Sequence, residues 1–425
     1  MSRVLLLLPT TSWRAEALLA ASRRLGLEVV VGTDRPLVWA DRTPDRALTL
    51  DFTHPEAAAD AVMGFARERP IQAIVGADDE TTVLAAAIAQ RLSLPHNPLA
   101  ALEAARDKLR QRETLSSAGL PVPAFTLCRL DEDPAAIARR VGFPCVVKPR
   151  RLAARRGVMR ADDLPGLAEA LRRLARLLAA PEVGACGEWA ESALVEAFVP
   201  GREVALEGLI EDGRLRVLAL FDKPDPLDGP FFEETLYVTP SRLAEATRAA
   251  VAACAERAVR ALGLERGPIH AELRVNDHGP WVIEVAARPI GGLCSRVLRF
   301  AGGVSLEELV LRAALGMETA GIEREPPSAG VLMVPIPGPG VLERVEGQAD
   351  AARVPGIEQV TITAHPGERL VPFPEGSRYP GFLFARGPDP GRVEAALRAA
   401  HGCLRFVMAA SEAPAAAPGT VAPAR

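Results

Sequence analysis

Over the first 95 residues, short apolar runs alternate with amphipathic stretches, and few folds accommodate that order. Residues 4–9, 27–32, 48–52 and 71–76 read as strands, and 12–25, 55–69 and 80–93 as helices. Runs that lack an alternating polar face must be buried on both sides, which places them in a parallel sheet covered by helices. Asp78-Asp79-Glu80 follows the fourth strand, at the sheet end where open α/β folds bind ligands. Helix N-capping by acids is the simpler reading of that triplet.

At 425 residues the chain exceeds one ordinary core and suggests two to four domains. A formal net charge of −4 gives no electrostatic case for nucleic acid or an anionic membrane as partner. The early apolar run 4–8 is far shorter than the roughly 20 residues of a membrane span. No small-residue cleavage site follows it, so a strand is the better reading than a signal peptide. Cysteines at 128, 145, 186, 254, 294 and 403 include no CxxC pair, which fits free thiols in a reducing cytoplasm.

Beyond a Pro95-His96-Asn97-Pro98 break, 99–118 reads as one helix carrying Arg106-Asp107-Lys108. Strand, helix 134–141, strand 143–148, helix 162–180 and strand 193–198 follow. A hairpin over 203–210 and 215–221 comes next, then a helix over 240–262 and a strand pair over 269–275 and 281–285. A further helix spans about 304–316. Residues 325–410 form a last unit with strands near 329–335 and 357–363 and a helix at 389–400. The Ala/Pro-rich tail from Ala410 reads as disordered.

Three segments carry chemistry. Val146-Val147-Lys148-Pro149 delivers a lysine at a strand end, within reach of a phosphate lying on the sheet. Glu196-Ala197-Phe198-Val199 runs into a turn before Glu203; its backbone suits an adenine edge and Glu203 suits ribose hydroxyls. Most telling are Ile269-His270-Ala271-Glu272 and Trp281-Val282-Ile283-Glu284. Alternation on adjacent strands sets Glu272 against Glu284, and like charges placed so repel unless a divalent cation joins them. Arg288 brings a forked anion-binding group to the same sheet end. Of 50 basic residues only Lys108, Lys148 and Lys223 are lysines, which singles them out for roles a planar guanidinium cannot fill. His270 is better placed to orient Glu272 than to act as a base.

Taken together these residues resemble the ATP-grasp superfamily, most closely its L-amino-acid (dipeptide) ligase branch. The resemblance implies an α/β fold with α+β grasp lobes: a parallel α/β pre-ATP-grasp domain (1–97), a linker helix (98–122), lobe A (123–200), lobe B with the metal site (201–322), a small C-terminal α+β domain (323–409) and a disordered tail (410–425). It implies that ATP is bound by Lys108, Lys148, Lys223, Arg156, Gly157, Glu196, Ala197, Val199 and Glu203, and Mg2+ or Mn2+ by Glu272 and Glu284. Arg288 and Lys223 take the catalytic roles, and Glu234, Arg288, Gly291 and Gly292 face the substrates. Those substrates are a small carboxylate and an amine, amino acids in the resembled branch, in a cytoplasmic enzyme whose apolar C-terminal unit leaves a homodimer open.

Two departures stand out. Ala286 replaces the extra asparagine ligand of many ATP-grasp enzymes, as in the ligase branch. The phosphate-covering loop, usually rich in Gly and Ser, reads Arg150-Arg151-Leu152-Ala153-Ala154-Arg155-Arg156-Gly157. That loop keeps a nucleotide-binding regulator in view, and a carboxylase or purine-pathway ligase is a further alternative.

Overall fold

A computed structural model describes residues 2–36, 46–184 and 187–409. The tail from Ala410 and Cys186 lie outside the described residues. The described cysteines are free thiols. No helix among the described residues is long and apolar enough to cross a membrane.

The first unit contains β1 (Arg3–Leu7), α1 (Ala15–Arg24), β2 (Glu28–Thr33), β3 (Ala47–Thr49), α2 (Pro55–Glu68), β4 (Ala73–Gly76) and α3 (Asp79–Arg91). Its sheet runs β3-β2-β1-β4, every pair parallel. Val4 and Leu6 pack on one side with Leu18 of α1, while Leu5 and Leu7 pack on the other with Val62 of α2 and Ile88 of α3. Burial on both faces is why β1 lacks polar alternation.

The expected single linker helix is two: α4 (Leu99–Arg106) and α5 (Lys108–Ser117). Asp107 breaks it with extended backbone (φ −98°, ψ 111°), and its carboxylate accepts the Leu109 N–H at 3.0 Å as the cap of α5. A short acidic side chain competes with the helix for its own backbone in this way. The same carboxylate meets Arg150 Nη2 at 2.7 Å.

Next come β5 (Phe125–Arg129), α6 (Pro134–Val141), β6 (Cys145–Pro149), β7 (Met159–Ala161), α7 (Leu164–Leu178) and β8 (Ser192–Ala197). These strands make an antiparallel sheet, β5-β8-β6-β7, backed by Leu167, Leu171 and Leu174 of α7. The three-residue β7 has no β-branched residue to announce it.

The following part holds β9 (Arg202–Glu211), β10 (Arg214–Asp222), β11 (Leu236–Thr239), α8 (Glu245–Leu262), β12 (Gly267–Asn276), β13 (Gly279–Ala286), β14 (Arg299–Phe300), β15 (Val304–Ser305) and α9 (Leu306–Ala314). The last part holds β16 (Ser328–Met333), β17 (Gly340–Glu346), α10 (Gln348–Arg353), β18 (Ile357–Ile362), β19 (Arg369–Leu370), β20 (Gly381–Gly387), α11 (Pro390–Cys403) and β21 (Arg405–Ala409). One eight-stranded sheet, β13-β12-β9-β10-β11-β16-β20-β18, runs through both parts. The seam is the antiparallel pair β11–β16, Leu236 opposite Leu332. A separate three-stranded sheet is ordered β19-β17-β21.

Helix α5 ties the two halves of the cleft together. Gln111 makes paired bonds to the backbone of Val285 on β13, donating at 2.8 Å and accepting at 2.9 Å. Arg112 Nε meets Glu196 of β8 at 2.5 Å, and its Nη2 donates to the Ile283 carbonyl. Removing one member of a buried ion pair strands the other and costs about 3–5 kcal/mol. Asp107→Asn is therefore expected to destabilise the protein by that order in urea unfolding, whereas Arg110→Ala, which loses an exposed pair to Glu103, should change it by less than about 1 kcal/mol. For Glu196, burial raises the carboxyl, but Arg112 and Lys148 outweigh it and bring it to about 2. Its ionised form thus stabilises the fold above the ordinary value of 4.5, and that contribution fades as pH falls towards 2. Glu196→Gln should lower stability at neutral pH and flatten the acid limb of a stability–pH curve between those values. An unchanged acid limb would contradict this account.

Candidate active site

One cavity opens between the β5–β8 sheet and the long sheet, and a second between the long sheet, the first unit and the 153–155 loop. A slot of about 40 Å³ is lined by Val146, Lys148, Glu196, Phe198, Phe232 and Arg274, among others. A larger cavity of about 240 Å³ is lined by Asp79, Glu234, Glu272, Glu284, Arg288 and Tyr379 together with neighbouring residues. Arg155 lines both.

The slot is smaller than the roughly 300 Å³ at which ligand pockets usually begin. The Arg160 and Arg274 guanidinium groups lie 4.3 and 4.8 Å from the centre of the Phe198 ring. Its backbone is also more committed than the sequence reading allowed. The Ala197 and Phe198 N–H groups donate to Ala124 and Pro144, and the Val199 carbonyl accepts from Arg274 Nη1 at 2.8 Å. Glu196 is 2% exposed and bonded to Lys148 as well as Arg112. Burial lowers the Lys148 pKa, more than its acidic partner raises it.

In the larger cavity, strand register does what alternation implied. Glu272 of β12 stands directly opposite Glu284 of β13, with a bulge just after Glu272 that sets Leu273 against Val282. Both face the cavity. Their charge is shared out among cations: Glu272 meets Lys223 at 2.7 Å and Arg155 at 2.6 Å, and Glu284 meets Lys108 at 3.2 Å. Lys108 Nζ also donates to the Leu152 carbonyl at 2.8 Å.

The tightest oxygen cluster differs from the expected pair. Carboxylate oxygens of Glu203, Glu234 and Glu272 lie within 4.8 Å of one another. Lys223 Nζ bonds all three, at 2.9, 2.5 and 2.7 Å respectively. Arg155 reaches the same three, with Glu234 at 2.9 Å and a close contact to Glu203. Glu203, assigned to ribose hydroxyls, is thus engaged by Lys223, Arg155 and Arg274. Glu234, expected to face the substrates, is engaged by Lys223 and Arg155. Burial pushes the Glu203 and Glu272 carboxyls up, but Arg155 and Lys223 prevail, holding Glu203 at about 2 and Glu272 well below its usual range. The oxygen-only donor set suits a hard divalent cation.

His270 bonds Glu207 through Nδ1 and lies 3.7 Å from Glu272 through Nε2. Burial lowers its pKa, Glu207 more than reverses that, and the ring titrates at about 9. Its Nε2 thus faces Glu272 while Glu207 holds Nδ1. Glu207 was missed, although period-two spacing already put Glu203, Ala205 and Glu207 on one face of β9.

Arg288 donates to Asp79 Oδ2 at 2.8 Å and to the Pro289 carbonyl at 2.9 Å. Burial works against its charge, but Asp79 holds its pKa above the ordinary arginine range. Asp79 therefore does more than sit in the first turn of α3: it ties the N-terminal sheet to the cavity. Arg14, also missed, is buried and donates to Pro289 at 2.7 Å, bracing the same turn. Gly291 and Gly292 line the cavity and lead into a four-residue 3-10 turn, Cys294–Val297. A correction concerns the arginine loop. Arg156 donates to the Glu375 carbonyl at 2.8 Å and Gly157 to Pro374 at 2.8 Å, so both engage the C-terminal unit. Arg155 enters the cleft instead.

Known proteins share this architecture. Family models match residues 19–96 (ATP-grasp N-terminal domain), 141–297 (ATP-grasp domain) and 332–409 (L-amino acid ligase C-terminal domain 2). The chain is similar to alanine–anticapsin ligase of Bacillus subtilis, 27% identical over 61% of this chain and 60% of that protein. It is 31% identical to carnosine synthase 1 of Homo sapiens over 57% of this chain but only 30% of that protein. The chain thus spans less than two thirds of either relative. A crystal structure of L-amino acid ligase from Bacillus licheniformis superposes with a TM-score of 0.79 at 27% identity, over 96% of this chain and 99% of that one. With two lobes around a carboxylate-lined cleft and three matching family models, the chain belongs to the ATP-grasp superfamily.

Proposed function

We infer that the chain is an ATP-dependent ligase that activates a carboxylate as an acyl phosphate and joins it to an amine, giving an amide or peptide bond, ADP and phosphate. The observation that carries this reading is Glu272 opposite Glu284 in one cavity with Arg288. Named relatives that ligate amino acids support amino acids as the substrate class.

In this reading Lys108 and Lys148 neutralise ATP phosphates, and Lys223 holds the third side of the site. Mg2+, or Mn2+ in its place, would be held by Glu272 and Glu284, with Glu203 and Glu234 near enough to assist, and would withdraw charge from the transferring phosphoryl group. Arg288 orients the substrate carboxylate and then stabilises the oxyanion as the amine adds. Asp79 keeps the guanidinium in place for both tasks. Tyr379, Phe382 and Trp13 line the same cavity, and side chains of the joined substrates would lie against them.

Phosphate release with Mg-ATP over a matrix of amino-acid and amine pairs, with product masses recorded, tests the reaction class. At least one pair should give stoichiometric ADP and a condensed product. Glu284→Ala should abolish ADP release while the fold persists by circular dichroism; retained turnover would sink the metal assignment. Arg288→Lys, which loses the planar fork, should lower kcat by about 10²-fold or more, and a kcat within threefold of wild type would remove Arg288 from the transition state.

A further inference from the structure

We propose that Arg155 is the phosphate-contacting residue of the covering loop, and that Glu203, Glu234 and Glu272 hold it in reserve until a divalent cation takes its place. The inference rests on the ATP-dependent reading above.

Arg155 stands where the slot and the larger cavity meet and lines both. A nucleotide reaching from one to the other must pass its guanidinium. The C-terminal end of the loop backbone has little to offer a phosphate, because its N–H groups are already used. Arg156 donates to Ala153, Gly157 to Pro374 and Val158 to Arg155. The other loop arginines are engaged elsewhere: Arg150 and Arg151 pair with Asp107, and Arg156 donates to Glu375. Arg155 alone among the loop arginines reaches the carboxylate trio, at 2.9 Å to Glu234 and 2.6 Å to Glu272.

Holding it there strains the chain. Ala154 and Arg155 both adopt left-handed backbone, at φ 53° and 54°, which side chains other than glycine disfavour. The ion cluster offsets that strain only while the guanidinium stays. Carboxylate oxygens are the preferred partners of Mg2+, and a planar guanidinium matches phosphate oxygens in a two-bond fork. Exchanging partners therefore improves both contacts. Metal and arginine compete for the same oxygens, and the freed arginine faces the triphosphate. An arginine side chain would then do the work that glycine-rich backbone does in a conventional covering loop.

The test uses full-length protein and Mn2+ as a spectroscopic probe. Without nucleotide, Arg155→Met should bind Mn2+ at least about tenfold more tightly than wild type, since the trio loses its internal cation. By calorimetry the same variant should bind Mg-ATP about tenfold more weakly, the scale of one charge-assisted bond. Arg155→Lys, which keeps a charge but no fork, guards against misfolding and should retain the Mn2+ competition with weakened Mg-ATP binding. Unchanged Mn2+ affinity in Arg155→Met overturns the competition, and unchanged or tighter Mg-ATP binding overturns the phosphate role. Should wild type bind no Mg-ATP, the ATP-dependent reading itself fails. The nucleotide titration of wild type identifies that case separately from the Mn2+ result.

Discussion

Buried negative charge governs this molecule. Glu203, Glu207 and Glu272 are each 7% exposed or less, and together with Glu234 they crowd one face of the long sheet. Such a face is unstable without cations, because burial withdraws the water that would otherwise screen the carboxylates. The chain answers with Lys223, Arg155, Arg274 and His270, each bonded to at least one member of the group. Each buried carboxylate near the cleft thus already meets a protein cation, and the proposed metal–phosphate complex would compete with those groups.

A second set of polar contacts keeps the cleft walls in register. Helix α5 is short, yet its Gln111 is bonded to β13 and its Arg112 to β8, while the Asp107 cap holds Arg150 beyond β6. The two sheets bordering the cleft are thus bridged by one helix whose Gln111 and Arg112 are buried. Geometric specificity follows from that: amide-to-backbone pairs and bidentate ion pairs tolerate little displacement, unlike apolar contacts.

Much of this was legible in sequence wherever one local rule dominated. The parallel sheet of the first unit followed from unbroken apolar runs, and the Glu272–Glu284 opposition from alternation on neighbouring strands. The scarcity of lysine led to Lys108, Lys148 and Lys223, each of which contacts a carboxylate of the cleft. What escaped depended on longer-range geometry. Nothing local separates Arg155 from Arg156; a left-handed turn at Ala154 and Arg155 decides which one enters the cleft. The break at Asp107 hid inside a helical pattern because the carboxylate that causes it is held by Arg150 and Arg151, more than forty positions away. β11 is four residues long, and its strand character comes from its partners on both sides.

The seam between β11 and β16 makes one wall of the cleft a single sheet. Because the long sheet passes through it without interruption, the half carrying Glu272 and Glu284 and the half carrying Tyr379 and Phe382 share a single backbone ladder. Shearing them apart would leave an unsatisfied strand margin, a surface prone to recruit other chains. The β5–β8 sheet has no such ladder to its neighbours and connects through side chains, loops and the single Met159–Phe231 backbone bridge. The position of Arg155 against the long sheet therefore rests on those side-chain and loop contacts rather than on a shared ladder.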